Sequence, residues 1–136
     1  MSSSKEGQRG QSIVEFVLLL PVLLLILMGM LDLGRAFYIQ VTLKDMAAEG
    51  AAYAAIHPYD AEGIWRRAAE ASGGMITVHP SDVDVEYPPV LYVGAPITVT
   101  VRYSFRFLTP IMEPMMPGGV IPLKGTAANA IISVQP

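Results

Sequence analysis

RGQSIVEFVLLLPVLLLILMGMLDLGR, residues 9–35, decides how the rest of the chain is read. Positions 16–31 carry no charge, and as a helix they span about 24 Å, short of the roughly 30 Å hydrocarbon core of a bilayer. Extending the helix back to Ile13 gives about 28 Å and places Glu15 at the lipid edge. Asp32 and Arg35 close the run at the other end. They stand three residues apart, one helical turn, which predicts an ion pair. A cleaved secretory signal would meet a small-x-small site within a few residues. Here the run passes straight into Asp32-Leu-Gly34-Arg35 and a continuing helical pattern, and the alanine-rich stretch 47–55 comes too late to serve. The segment therefore reads as a retained single-pass membrane helix.

Working outward on the carboxyl side, the helical pattern does not break after Arg35. Ile39, Leu43, Met46, Gly50 and Tyr53 recur at spacings of four and three, an apolar seam, with Gln40, Lys44, Asp45 and Glu49 off it. Alanines 47, 48, 51, 52, 54 and 55, with Gly50, keep the last turns thin, so that another element can approach. His57-Pro58 ends the helix, because a residue before proline disfavours α geometry. A helix from about Ser12 to Ile56 would measure about 65 Å, half in lipid and half outside, with a kink expected at Pro21. On the amino side, Lys5 and Arg9 nearly balance Arg35 and Lys44 under the positive-inside rule. The short amino end and the folding carboxyl part place the amino terminus in the cytoplasm and the rest outside.

Beyond the stem, residues 60–72 read as a short amphipathic helix. Asp60 caps it, Ile64, Trp65, Ala68 and Ala69 face inward, and Gly73-Gly74 ends it. Trp65 fits either a core position or the lipid surface. Residues 97–107 alternate Ile, Val, Val, Tyr, Phe, Phe with Thr, Thr, Arg, Ser, Arg, the pattern of a strand with one buried face. Val83, Val85 and Tyr87 alternate with Asp84 and Glu86 in a strand before it. A third strand is expected over 126–134, with Ala128, Ala130, Ile132 and Val134 on one face. Short connections and one wet face favour an antiparallel sheet. The loop 108–120 holds Met112, Met115 and Met116, either as an adaptable exposed contact surface or tucked over the end of the sheet. The fold class is α+β: a long amino-terminal helix packed on a small antiparallel sheet of about three strands, with one short helix. The chain divides into a leader (1–10), a transmembrane helix (11–35), its extracytoplasmic continuation (36–57) and a small extracytoplasmic α+β domain (58–136).

Composition narrows the function classes. Charged residues are 15% of the 136 residues against 52% hydrophobic, where an average soluble domain has roughly 25% charged. The nine basic residues are scattered, so the clustered cations that nucleic acid requires are missing. The absence of cysteine excludes thiol nucleophiles and thiolate metal sites. His57 and His79 have no ligand partners at metal-binding spacing, and no nucleophile–base–orienter set or phosphate loop is present. Asp82, Asp84 and Glu86 belong to the solvated face of a strand. The expectation is a structural protein without cofactor, metal or small-molecule substrate, not an enzyme.

Arg9-Gly10-Gln11-Ser-Ile-Val-Glu15-Phe16 resembles a class III prepilin signal. Prepilins are cut after a glycine, leaving glutamate fifth and an apolar or aromatic residue sixth in the mature chain. Cutting between Gly10 and Gln11 makes Glu15 the fifth residue and leaves Lys5 and Arg9 in the cytoplasmic leader. A carboxylate at the lipid edge is unfavourable and tends to acquire a partner. The α-amine released at Gln11 of a neighbouring subunit is one, and would fix axial register. Snorkelling, or placement in the first helical turn, would also accommodate Glu15.

The wider pattern, Gln-Ser-Ile-Val-Glu-Phe-Val-Leu-Leu-Leu-Pro21, then Asp32-Leu-Gly34-Arg35, then Ala47-Ala-Glu49-Gly50-Ala-Ala-Tyr53, resembles the TadE-like family over about residues 10–55. Ala52 stands where the family often has arginine. The resemblance implies a minor pilin-like (pseudopilin) component of the tight-adherence (Tad, type IVc) pilus or secretion machinery. A prepilin peptidase would process it, and its stem helix would pack with other pilin subunits on the Tad assembly platform. A separate cytoplasmic ATPase would drive assembly. The other reading of the same residues is an uncleaved single-pass anchor that presents a protein- or ligand-binding domain outside the cell.

Overall fold

The computed structural model describes the backbone of residues 4–112 and 114–134, with side chains from residue 10 onward. The side chains of the leader cations Lys5 and Arg9 lie outside that part. Helix α1 (Ser4–Ala54) has 51 residues and so measures about 76 Å. It begins eight residues before the expected Ser12, since Lys5, Glu6, Gln8 and Arg9 are good helix formers and no proline precedes Pro21. Pro21 lies inside the helix. After Ala54 the chain turns, with the amides of Ile56 and His57 both donating to the Tyr53 carbonyl.

Helix α2 (Ala61–Glu70) is capped by Asp60, whose carboxylate accepts from the Gly63 amide at 2.9 Å. Ile64 and Ala68 are fully buried on its inner face, and Ala69 is half-buried. Trp65 is half-buried too, its indole N–H donating to the Val78 carbonyl. It is therefore a flank of the core and no isolated surface ring. Gly73 and Gly74 follow at φ +60° and +78°, a conformation that ends a helix cleanly only where no Cβ intervenes.

Strands β1 (Val83–Glu86), β2 (Pro96–Arg106) and β3 (Val120–Ala130) form one antiparallel sheet in the order β1-β2-β3. The alternation in β2 holds: Ile97, Val99, Val101 and Phe105 are fully buried, and Tyr103 is half-buried. Strand β3 corrects the sequence expectation. It occupies Val120–Ala130, not 126–134, and turns Ile121, Leu123, Gly125 and Ala127 inward. Ala128 and Ala130 are exposed; Ile132 is 65% exposed, whereas the neighbouring Ile131 is fully buried. A strand's period is two, so an error of one residue exchanges its faces. Pro122 and Gly125 interrupt the alternation that would have announced this strand, and Pro122 is tolerated because β3 is an edge.

The sheet lies lengthwise along the second half of α1. Ile39, Leu43 and Met46 of the anticipated seam are buried in the core, joined by Ala47, Ala51 and Ala54, while Tyr53 is half-buried. A Cβ at Gly125 would fall on the Leu43 carbonyl, so glycine is what lets β3 touch the helix backbone. One turn earlier the Gln40 amide donates to the Lys124 carbonyl at 2.8 Å. At the far end the Ala55 carbonyl accepts from the amides of Ile132 and Ser133, satisfying a helix terminus that would otherwise lack partners.

Candidate functional site

The residues singled out in the sequence fall into two groups along α1. Gly10 is exposed, inside the helix, with open space around it. Gln11 and Glu15 lie one turn apart, and the Gln11 side-chain amide donates to the Glu15 carboxylate at 3.2 Å. Phe16 is exposed beside them, and from Ile13 to Leu27 large apolar side chains project outward on every side of the helix. A helix apolar all round is stable only when something other than water surrounds it. The helix from Gly10 to Ala54 that holds this stretch is long and apolar enough to cross a bilayer, which fits a single-pass membrane protein.

The second group is the junction between stem and sheet. Asp32 is almost completely buried at the end of the apolar run. The expected ion pair is present: an Arg35 guanidinium nitrogen stands 3.1 Å from its carboxylate. That pair is the smaller part of its surroundings. The Thr109 hydroxyl donates to Asp32 at 2.7 Å, the Thr109 amide at 2.8 Å, and the Leu108 amide at 3.0 Å to each oxygen. Four donor groups thus compensate a carboxylate whose isolated burial would be strongly unfavourable. The Arg35 guanidinium also stands over the Phe105 ring at 5.2 Å, a cation–π contact between stem and sheet.

Sequence reasoning found Asp32 and Arg35 but missed Leu108 and Thr109. The available signal was capacity: a carboxylate offers about four acceptor sites and one arginine fills at most two of them. The other residues of this group separate. Gly34 has nothing near it, while Gly50 is wedged between Val99 and Ala68 at 3.2 and 3.3 Å from where a Cβ would sit. Glu49 is exposed and lines a shallow groove with Asp45, Arg67 and Glu70. Gly50 is therefore a packing position inside the domain, whereas Gly34 and Glu49 face outward. The loop methionines divide as well: Met115 is exposed, and Met112 and Met116 are half-buried.

A hydrogen-bonded corner closes the far end of α1. The Tyr53 hydroxyl donates to the second oxygen of Asp60 at 2.7 Å. The Gly63 amide, then this hydroxyl, hold the Asp60 carboxyl below its usual range. The same bond pushes the Tyr53 phenol above its usual value.

No curated protein and no solved structure matches the chain. The one stretch whose residues carry both groups of the site, positions 10–52, matches the family model described as TadE-like protein, the family whose motifs the stem displays.

Proposed function

We propose that this chain is a minor pilin-like (pseudopilin) structural and assembly subunit of a Tad-type pilus or secretion apparatus, and that it performs no catalysis. The observation that carries the reading is the placement of Gly10, Gln11 and Glu15 on one continuous helix immediately before the outward-facing apolar stretch. The TadE-like match over the same residues supports it. In this reading the leader lies in the cytoplasm, the stem crosses the inner membrane, and the sheet domain lies outside. A prepilin peptidase cuts between Gly10 and Gln11. Glycine destabilises a helix by about 1 kcal/mol relative to alanine, so Gly7 and Gly10 favour the local unwinding that a scissile bond needs. The α-amine freed at Gln11 then pairs with Glu15 of a neighbouring stem, in place of the Gln11 side chain that occupies the carboxylate here. Gly34, open to its surroundings, lets a neighbouring stem approach closely.

The test is the amino terminus. Co-expressed with a prepilin peptidase, the membrane-extracted chain should begin at Gln11 by intact mass, and Gly10→Trp should retain the leader. A chain that keeps residues 1–10 in a host assembling normal pili would instead be an uncleaved anchor for the outer domain.

A further inference from the structure

Asp32 does more than hold a loop: it sets the height of that loop against the stem. Ile13 to Leu31 covers about 28 Å of helix, close to the roughly 30 Å hydrocarbon thickness, and headgroup layers add about 5–7 Å on each side. Asp32 is the next residue, so its carboxylate stands where hydrocarbon gives way to headgroups. Both of its oxygens accept the Leu108 amide and one accepts the Thr109 amide, which fixes the start of the β2–β3 connection at that same level. The connection then exposes Leu108 (65%), Ile111 (51%) and Met115 (73%). On the stem, Leu33 and Phe37 are exposed within about 8 Å along the axis. An apolar patch of this kind in a folded domain marks a contact surface, and its level is continuous with the apolar span.

We propose that the loop beginning at Leu108 rests on the outer leaflet, with Leu108, Ile111 and Met115 seated among lipid headgroups. The membrane is then a second contact of the outer domain beyond the stem itself. This inference rests on the reading of α1 as a membrane stem.

The absence of cysteine makes a direct test available in the full chain. Ile111→Cys and Met115→Cys, with Leu24→Cys in the stem and Val93→Cys at the opposite end of the sheet, are labelled with bimane. The proteins are reconstituted in phosphatidylethanolamine–phosphatidylglycerol vesicles. The labels at 111 and 115 should lose most of their fluorescence to headgroup-level spin-labelled lipid and little to aqueous iodide, with the label at 93 behaving in the opposite way. Iodide quenching at 111 and 115 equal to that at 93, with Leu24→Cys still quenched by lipid, overturns the loop contact and leaves the anchor intact. A label at 24 that lipid spin-labelled deep in its acyl chain does not quench overturns the stem reading and the loop contact together. Shielding at 111 and 115 that appears only when other pilus subunits are added assigns the patch to protein and overturns the lipid contact.

Discussion

Asp32 shows how one side chain can join two parts of a protein. Its carboxylate gathers donors from residues 76 and 77 positions away in sequence, so its removal strands buried groups on the other partner. Asp32→Ala leaves the Leu108 amide, the Thr109 amide and the Thr109 hydroxyl without their acceptor. At about 1 kcal/mol or more for each buried unsatisfied donor, the expected destabilisation is roughly 3 kcal/mol, read by thermal unfolding in detergent. Hydrogen exchange should quicken first at residues 108 and 109. Asp60 gives a prediction of a different sort. Its carboxyl is held low by the Gly63 amide and the Tyr53 hydroxyl, so it contributes stability above the ordinary aspartate value of about 3.9. That contribution is lost as pH falls through the lowered folded value. Tyr53 is shifted upward, so its contribution is present below about pH 10 and lost as pH rises through the raised value. Melting temperature measured against pH should therefore fall less steeply on the acid side in Asp60→Asn and less steeply on the alkaline side in Tyr53→Phe, with Asp32 and Tyr87 keeping part of each limb. At this scale the sequence was half legible. A charge pair within one helical turn can be seen from spacing, as Arg35 was. Thr109 could not be, because nothing local records which distant loop will meet a side chain.

At the scale of elements, glycines divide the stem into a face used within the domain and a face left for others. A Cβ at Gly125 would land on the Leu43 backbone, which cannot give way as a flexible side chain can, whereas at Gly50 it would stand 3.2 and 3.3 Å from Val99 and Ala68, closer than ordinary contact but against side chains. Gly125→Ala should then destabilise by at least the roughly 1–3 kcal/mol typical of overpacking, Gly50→Ala by clearly less, and Gly34→Ala, with open space around it, should stabilise by up to about 1 kcal/mol. Denaturant unfolding of the three variants in one detergent gives the ranking. If Gly34→Ala also left pilus assembly untouched, its place in a stem–stem contact would be lost. The helix seam was legible because Ile39, Leu43 and Met46 obey a helical period without exception, and β2 because its alternation runs over eleven residues. β3 was displaced because its inward series is Ile121, Leu123, Gly125, Ala127: the glycine is needed for contact with α1 and so looks like an interruption. The close approach that makes the strand essential also hides it.

Across the whole molecule, two readouts separate construction from assembly. Glu15→Gln should leave the folding of the outer domain unchanged, since Glu15 lies on the stem and accepts from Gln11 one turn away, while reducing incorporation into pili, measured by immunoblot of sheared fibres. Equal incorporation would remove the carboxylate from the assembly step. The apolar stem and the α+β character were readable from residue pattern, because lipid requires an unbroken apolar run and a half-wet sheet requires strict alternation. How domain and stem are joined was not, since both joints draw on backbone groups that no sequence pattern marks, the Leu108 and Thr109 amides at Asp32 below and Ala55, Ile132 and Ser133 above. Those two joints lie 23 residues apart on the helix, about 35 Å. A pull along the stem would therefore be shared by the length of the sheet and resisted in shear, with no hinge where strain could gather. A subunit built this way transmits tension as a single strut.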